Sequence, residues 1–381
     1  MSRLGLGLGL NLPRPIFIGG GGLADFELTI KTDNAGGISN NDQFILGTIS
    51  TGVYDFVVDW GDGSSDTITT FDDPALTHTY STAGTYNLKI SGNTYEYPYF
   101  FNGDDGKLVS IDNGGILSFG TSAISAFRNS INLTQISFIN TTGVVQFTDT
   151  WRVCNSLTSF PLIDTSSGTN FTKAWYNCTS LTSFPLLDMS SGTNFTDTWR
   201  VCNSLTSFPL IDTSSGISFS NAWNGCVNLT SFPLLDVSSG TNFTKAWLSC
   251  ANLTSFPLID TSSGTDFTST WNTCVSLTSF PLIDMSSGTN FDSTWNACAN
   301  LTSFPLLDVS SGISFSNAWL NCALNSQSID NVMQALVNGG KPNLSTNLSG
   351  GTNLGFANWS AGAIANYNTL ISNGWTITTN P

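Results

Sequence analysis

Aromatic and apolar residues recur along most of this chain at a fixed interval of 24 residues, with Ser, Thr, Asn and Gly filling the positions between them. Trp151, Trp175, Trp199, Trp223, Trp247, Trp271, Trp295 and Trp319 are each followed three positions later by a cysteine, Cys154 through Cys322. A period of this length predicts stacked coils, because one coil cannot bury its apolar side without a neighbour. Within one coil, Phe171, Trp175 and Cys178 stand at i, i+4 and i+7, which predicts a short helical or 3₁₀ segment turned inward. Leu181, Phe184 and Leu186 follow with the rhythm of a repeat strand. Gly192 is expected to allow the turn that closes the coil. Pro185 cannot donate to a sheet ladder, so the strand is expected to be very short and the parallel sheet narrow.

The flanks follow a different pattern. Residues 25–104 read as a small β domain, with short strands at 26–31, 44–47, 54–60 and 86–90 separated by Gly, Asn and Asp clusters. Phe56, Val58 and Trp60 share one face of the third strand, and Tyr86, Leu88 and Ile90 one face of the fourth. Residues 105–322 hold the repeats, beginning with degenerate coils in which Phe127, Ser130 and Leu133 take the Trp, Cys and Leu positions. Residues 323–381 read as a C-terminal cap, with amphipathic helices at 328–337 and 361–371 and a strand after Trp375. Residues 1–24 form a Gly/Leu-rich docking segment. The expected fold is mainly β with short helical segments.

Two stretches carry specific resemblances. Trp60-Gly61-Asp62-Gly63, followed by His78-Thr79-Tyr80 and Gly84-Thr85-Tyr86, resembles the PKD type of immunoglobulin-like β-sandwich. That resemblance implies an extracellular spacer or adhesion module. The repeats resemble the BspA-type leucine-rich repeats of bacterial surface proteins, in which an aromatic, a cysteine, a leucine and a short strand follow in order. Trp stands here where that family usually has Phe, which affects packing more than function. The Gly-Leu tail and the ending Asn373-Gly374-Trp375-Thr376-Ile377-Thr378-Thr379-Asn380 are similar to segments of bacteriophage structural proteins.

Charge narrows the function. Only 10% of the residues are charged and the net charge is −15, so the 11 Lys and Arg cannot neutralise a run of phosphates; nucleic acid and anionic membranes are not expected partners. No apolar stretch is long enough to span a membrane, and the N-terminal segment, which alternates Gly with Leu, lacks the pattern of a secretory signal. Coils about 4.8 Å apart would hold parallel cysteine side chains too far apart for a disulfide, which predicts a column of buried free thiols.

Candidate chemistry is sparse. His78, the single histidine, has no partner at metal-ligand spacing, and no acid, base and nucleophile set can be assembled outside the repeats, so neither catalytic residues nor an enzyme are expected. Asp164, Asp188, Asp212, Asp236, Asp260, Asp284 and Asp308 form a column whose mutual repulsion needs compensation. Asx-type turns onto the following serines supply one explanation and a row of calcium ions another. Asp59, Asp62 and Asp66 around the WGDG turn are further calcium candidates; no other cofactor is expected. Thr158, Ser159, Thr182, Ser183, Thr206, Ser207, Thr230 and Ser231 lie between inward residues and are the candidate binding surface. The expected function is adhesion or receptor binding, presenting this surface to a host glycan or protein. A virion surface is the expected location, with a secreted or bacterial cell-surface location as the alternative, and residues 1–24 would dock to a virion or other structural protein. An architectural spacer or decoration protein without its own ligand is the competing expectation.

Overall fold

The computed structural model describes residues 24–96 and 99–381, and the docking segment expected at residues 1–24 lies almost wholly outside them. The protein is mainly β, with two α-helices among the described residues. Strands β1 (Phe26–Lys31), β2 (Gln43–Ile45), β3 (Tyr54–Asp59), β4 (Ser65–Ile68), β5 (Thr77–Thr79) and β6 (Thr85–Glu96) come first, then β7 (Leu108–Gly114), β8 (Leu117–Ser118) and β9 (Gln135–Ile136). Seven of them form one sheet in the order β4-β3-β6-β1-β7-β9, with β8 beside β6, while β2 and β5 pair separately. Alternation drives the inner strands: Phe26, Leu28 and Ile30 of β1 are fully buried, as are Val58 and Ile90 across the ladder.

The strand at Leu108, which the sequence places in a degenerate coil, ladders with β1 instead. Its other edge meets β9 in parallel. Elsewhere on the coils a parallel bridge recurs once per repeat, Ser122 to Gln146 to Asn170 to Asn194 and onward to Ser314. The N-terminal sheet thus meets the first coil through β9, and the bridge column runs along a separate position of the coils.

Each repeat is held to the next by the segment between its first Phe and its Cys. The N–H groups of Phe171, Lys173, Trp175 and Asn177 donate to carbonyls of the following repeat at 2.8–3.0 Å, while those of Ala174, Tyr176 and Cys178 donate back three residues within their own repeat. Alternation between the two directions needs a left-handed residue every fourth position, and Lys173 (φ 57°) and Asn177 (φ 60°) supply it. The segment is thus a run of turns and not the helical piece expected. Its spacing still turns Phe171, Trp175 and Cys178 inward, all fully buried.

The expected parallel sheet at the Leu-x-x-Phe segment is also corrected. Between repeats, apart from one bridge, Ser279 to Ser303, the bridges lie at the Asn170 position, and a further one joins Phe315 to Thr346 of the cap. Pro185 removes a donor, and Leu187 N–H bonds back to the Pro185 carbonyl, which bends the chain out of ladder geometry. The residue expected inside is displaced by one: Leu187 is fully enclosed, while Leu186 is only half-buried and its counterpart Leu162 is exposed. Gly192 serves a different need as well. A Cβ there would stand 2.5 Å from the Phe195 ring, so it is the close approach of the ring that requires glycine.

Three aromatic columns fill the interior. Trp175 stacks on Trp199 at 6.0 Å, Phe171 on Phe195 at 5.6 Å, and Phe184 meets the Trp175 ring edge-on at 4.9 Å. The eight column tryptophans are completely or almost completely buried, yet their indole Nε1 atoms have no hydrogen-bond partner among the described residues. Leaving one such donor bare costs about 1–3 kcal/mol, whereas burying 150–250 Å² of ring contributes roughly 4–6 kcal/mol; burial wins. All eight cysteines are free and buried, and burial pushes the thiols up, Cys178 and Cys226 to about 12. Each donates its S–H to the carbonyl of a column aromatic of the preceding repeat, as Cys178 Sγ does to Trp151 O at 3.1 Å.

The last repeat is covered by α1 (Ser326–Gly339), β10 (Ser345–Leu348), α2 (Ala361–Ser372) and β11 (Thr376–Thr379). Asn325 caps α1 by accepting from Ser328 N–H, and Ser360 caps α2 by accepting from Ala363 N–H. Thr346 of β10 bridges Phe315, continuing the repeat ladder by one step. Asn353 donates to the Trp319 carbonyl at 2.9 Å, taking over the role that a cysteine plays in the repeats.

Candidate functional site

Outward columns on the Leu157–Gly168 segment and its counterparts make up the candidate surface. In the run Phe160-Pro161-Leu162-Ile163-Asp164-Thr165 the side chains alternate from Leu162 onward, past the bend at the proline. Phe160, Ile163 and Thr165 are buried, while Leu162 is 70% exposed. Thr158, Ser159, Thr182, Ser183, Thr206, Ser207, Thr230 and Ser231 are all exposed, so both predicted hydroxyl columns reach solvent.

The two columns differ in freedom. Thr182 Oγ1 donates to the Thr158 carbonyl at 3.1 Å, and Thr230 and Thr254 repeat the bond two and three repeats on. Those threonines close the edge of the stack. The Ser183, Ser207 and Ser231 hydroxyls have no such partner among the described residues, so they carry the more available donors and acceptors.

The aspartate column sits two residues beyond the outward leucines. Asp188 Oδ1 accepts from Ser190 N–H at 3.2 Å and from Ser190 Oγ at 2.7 Å, and the same pair recurs at Asp164, Asp212, Asp236 and Asp284. This is the Asx turn that the sequence suggested, and it occupies one oxygen of each carboxylate. At Asp308 the Ser310 hydrogen bonds hold the carboxyl below its usual value.

Around the WGDG turn the predicted carboxylates each hold a partner of their own. Asp66 Oδ2 accepts from Trp60 Nε1 at 2.8 Å, and Asp59 Oδ1 from Gly61 N–H at 2.9 Å. Asp62 contacts His78 Nε2 at 2.9 Å through one oxygen and accepts from Ser64 through the other. Burial pulls the Asp62 carboxyl upward, but the Ser64 and His78 hydrogen bonds outweigh it and hold the group at about 2. Each carboxylate thus answers a different donor, and no three His, Cys, Asp or Glu side chains gather into a metal-holding set among the described residues. His78 stacks on Trp60 at 4.7 Å and meets Tyr80 edge-on, while Tyr80 donates to the Trp60 carbonyl. Ser64 Oγ approaches the same Nε2 that Asp62 uses, at 3.5 Å, so these three groups cannot relay a proton through the two ring nitrogens.

No family model matches the chain, and no curated protein matches its sequence. No helix among the described residues is long and apolar enough to cross a membrane.

What sequence reasoning missed is the outward leucine column: Leu162, Leu210, Leu234, Leu258, Leu282 and Leu306 are 44–70% exposed. The signal was the aspartate two positions later. On an extended segment, i and i+2 face the same way, so an outward Asp164 implies an outward Leu162.

Proposed function

We propose that this is a non-enzymatic adhesion or receptor-binding protein that presents the repetitive hydroxyl face of its repeats to a host glycan or protein. In this reading the repeats form a leucine-rich-repeat solenoid of the BspA type, and the N-terminal sheet belongs to a PKD-type, immunoglobulin-like sandwich. The protein is carried on a virion surface, docked through residues 1–24; a secreted or bacterial cell-surface location is the alternative.

The observation that carries the proposal is the regular exposure of Thr158, Ser159 and their counterparts, one pair per repeat on one side of the stack. Sites repeated along a rigid column suit weak contacts added together, where avidity exceeds the affinity of any one contact. Ser183, Ser207 and Ser231 are the residues to change, because they are exposed and hold no neighbouring repeat. Their triple replacement by lysine should leave the thermal midpoint within a few degrees of the parent and reduce attachment of the carrier particles to host cells at least tenfold. Unchanged attachment with an intact fold would favour the architectural spacer, a reading supported by the fact that both ends of the stack are covered and its interior is fully packed.

A further inference from the structure

On the same face as the hydroxyl columns lies a surface that solubility does not explain. The leucine that follows each proline is constant through seven repeats, and six of the seven are 44–70% exposed. Leu186 alone is half-buried. Single exposed leucines are ordinary, but a continuous apolar line along a molecule is not. Beside it runs the aspartate column, with Asp212, Asp236, Asp260, Asp284 and Asp308 exposed. No Lys or Arg occurs in any of the seven Leu-Thr-Ser-Phe-Pro-Leu-x-Asp-x-Ser-Ser-Gly segments. The basic residues of the eight Trp-Cys repeats, Arg152, Lys173, Arg200 and Lys245, all lie on the turn segment between the first Phe and the Cys. There Arg152 and Arg200 pair with Asp149 and Asp197 and clasp the Tyr176 ring from either side.

We infer that the leucine and aspartate columns together form a docking surface for a cationic amphipathic α-helix of a partner protein, laid along the axis of the stack. Charge selects the occupant: seven carboxylates without a cation repel a second copy of the same face, and they repel nucleic acid and anionic lipid. Shape selects a helix. The two columns run side by side, and a single strand along the axis would turn only one row of side chains toward them. A helix offers an apolar stripe at i, i+4 and i+7 and a Lys or Arg stripe next to it. The spacing agrees, since the phenylalanines beneath this face step by 5.7–6.3 Å per repeat and a helix advances about 5.4 Å per turn. Each turn of the partner would then place one apolar side chain against a leucine and one cation against an aspartate. Seven repeats accommodate a helix of about 20 residues, roughly 30 Å long.

This inference rests on the binding role proposed above but concerns different residues, so the two can fail separately. The probe is a 20-residue helical peptide with leucine on one stripe and lysine on the flanking stripe, measured against the full-length protein by fluorescence anisotropy in low and high salt. Two controls keep the lengths equal: one carries glutamate in place of lysine, the other scrambles the stripes. The lysine peptide should bind at least tenfold more tightly than either control. The protein variant Leu210→Ser, Leu234→Ser, Leu258→Ser should weaken binding at least tenfold with its circular dichroism unchanged. The variant Asp212→Asn, Asp236→Asn, Asp260→Asn keeps the Asx turns and should flatten the salt dependence. Equal binding of the glutamate or scrambled peptide would overturn the inference, as would parent-like binding by the leucine variant. So would a concentration-dependent dimer in sedimentation that the leucine variant abolishes, because the stripe would then belong to a second copy. A synthetic peptide of residues 1–23 that binds the stripe more tightly than the lysine helix would assign it to the chain's own N-terminal segment and overturn it equally.

Discussion

Val201 holds a left-handed backbone at φ 63°, a conformation in which a β-branched side chain is strained. Val153 shares the position, whereas Asn177, Ser249 and Asn321 occupy it in other repeats and Gly225 in one. The turn-by-turn hydrogen bonding demands this conformation whatever the residue, so sequence adapts to it unevenly. Val201→Asn should therefore stabilise the protein by about 0.5–1 kcal/mol, read as a higher urea midpoint with an unchanged slope. At the Gly192 position the demand is steric. Gly240→Ala would set a Cβ about 2.6 Å from the Phe243 ring and should cost about 1–3 kcal/mol on the same measurement. The inward residues were legible in the sequence because Phe171, Trp175 and Cys178 recur at one spacing and each is large or apolar. The backbone joining them was not, because i, i+4, i+7 spacing is shared by a helix and by a run of turns with a left-handed residue at every fourth position. Only the hydrogen bonds, alternating between repeats, separate the two.

Among elements, the junction between the N-terminal sheet and the repeats holds the most perturbed carboxyl. Asp105, 7% exposed on the 3₁₀ turn just before β7, is pushed up to about 7, first by burial and further by the neighbouring Asp104 charge. Gly106 N–H donates to it at 2.8 Å and offsets only part of that. Below pH 3.8 the group is neutral in both folded and unfolded chains and has no effect on stability. As pH rises from there to about 7, the unfolded chain ionises while the folded chain stays protonated, so stability is lost, by about 2–4 kcal/mol in all. Asp105→Asn removes that loss: the variant should become progressively more stable than the parent between pH 4 and 7, with a constant gap above. A gap independent of pH would show that the carboxyl ionises normally in the folded protein. The sequence did not reveal this site, because the strand at Leu108 reads as part of a degenerate coil until its pairing with β1 is seen. The helices of the cap were legible, since their apolar faces and caps, Asn325 and Ser360, are local signals.

Across the whole molecule, stacking and charge divide the labour. The turn segment of each repeat carries most of the hydrogen bonds between repeats and the cations, and the Leu-Thr-Ser-Phe-Pro-Leu-x-Asp segment carries the hydroxyl, leucine and aspartate columns without any cation. Covered ends stop the ladder from continuing into another copy, which leaves the flank of the stack as the surface available to a partner. The claim that this flank is the functional surface is tested most directly by its length. Removal of residues 194–241 deletes two whole repeats and rejoins Thr193 to Asn242 in the position that Asn194 had, so the ladder, the sheet and the cap are preserved. With fewer repeats, a multivalent surface loses avidity steeply. The shortened protein should fold with a parent-like spectrum and assemble into its carrier, while attachment to host cells falls at least tenfold. Attachment at the parent level by the folded, shortened protein would contradict the account.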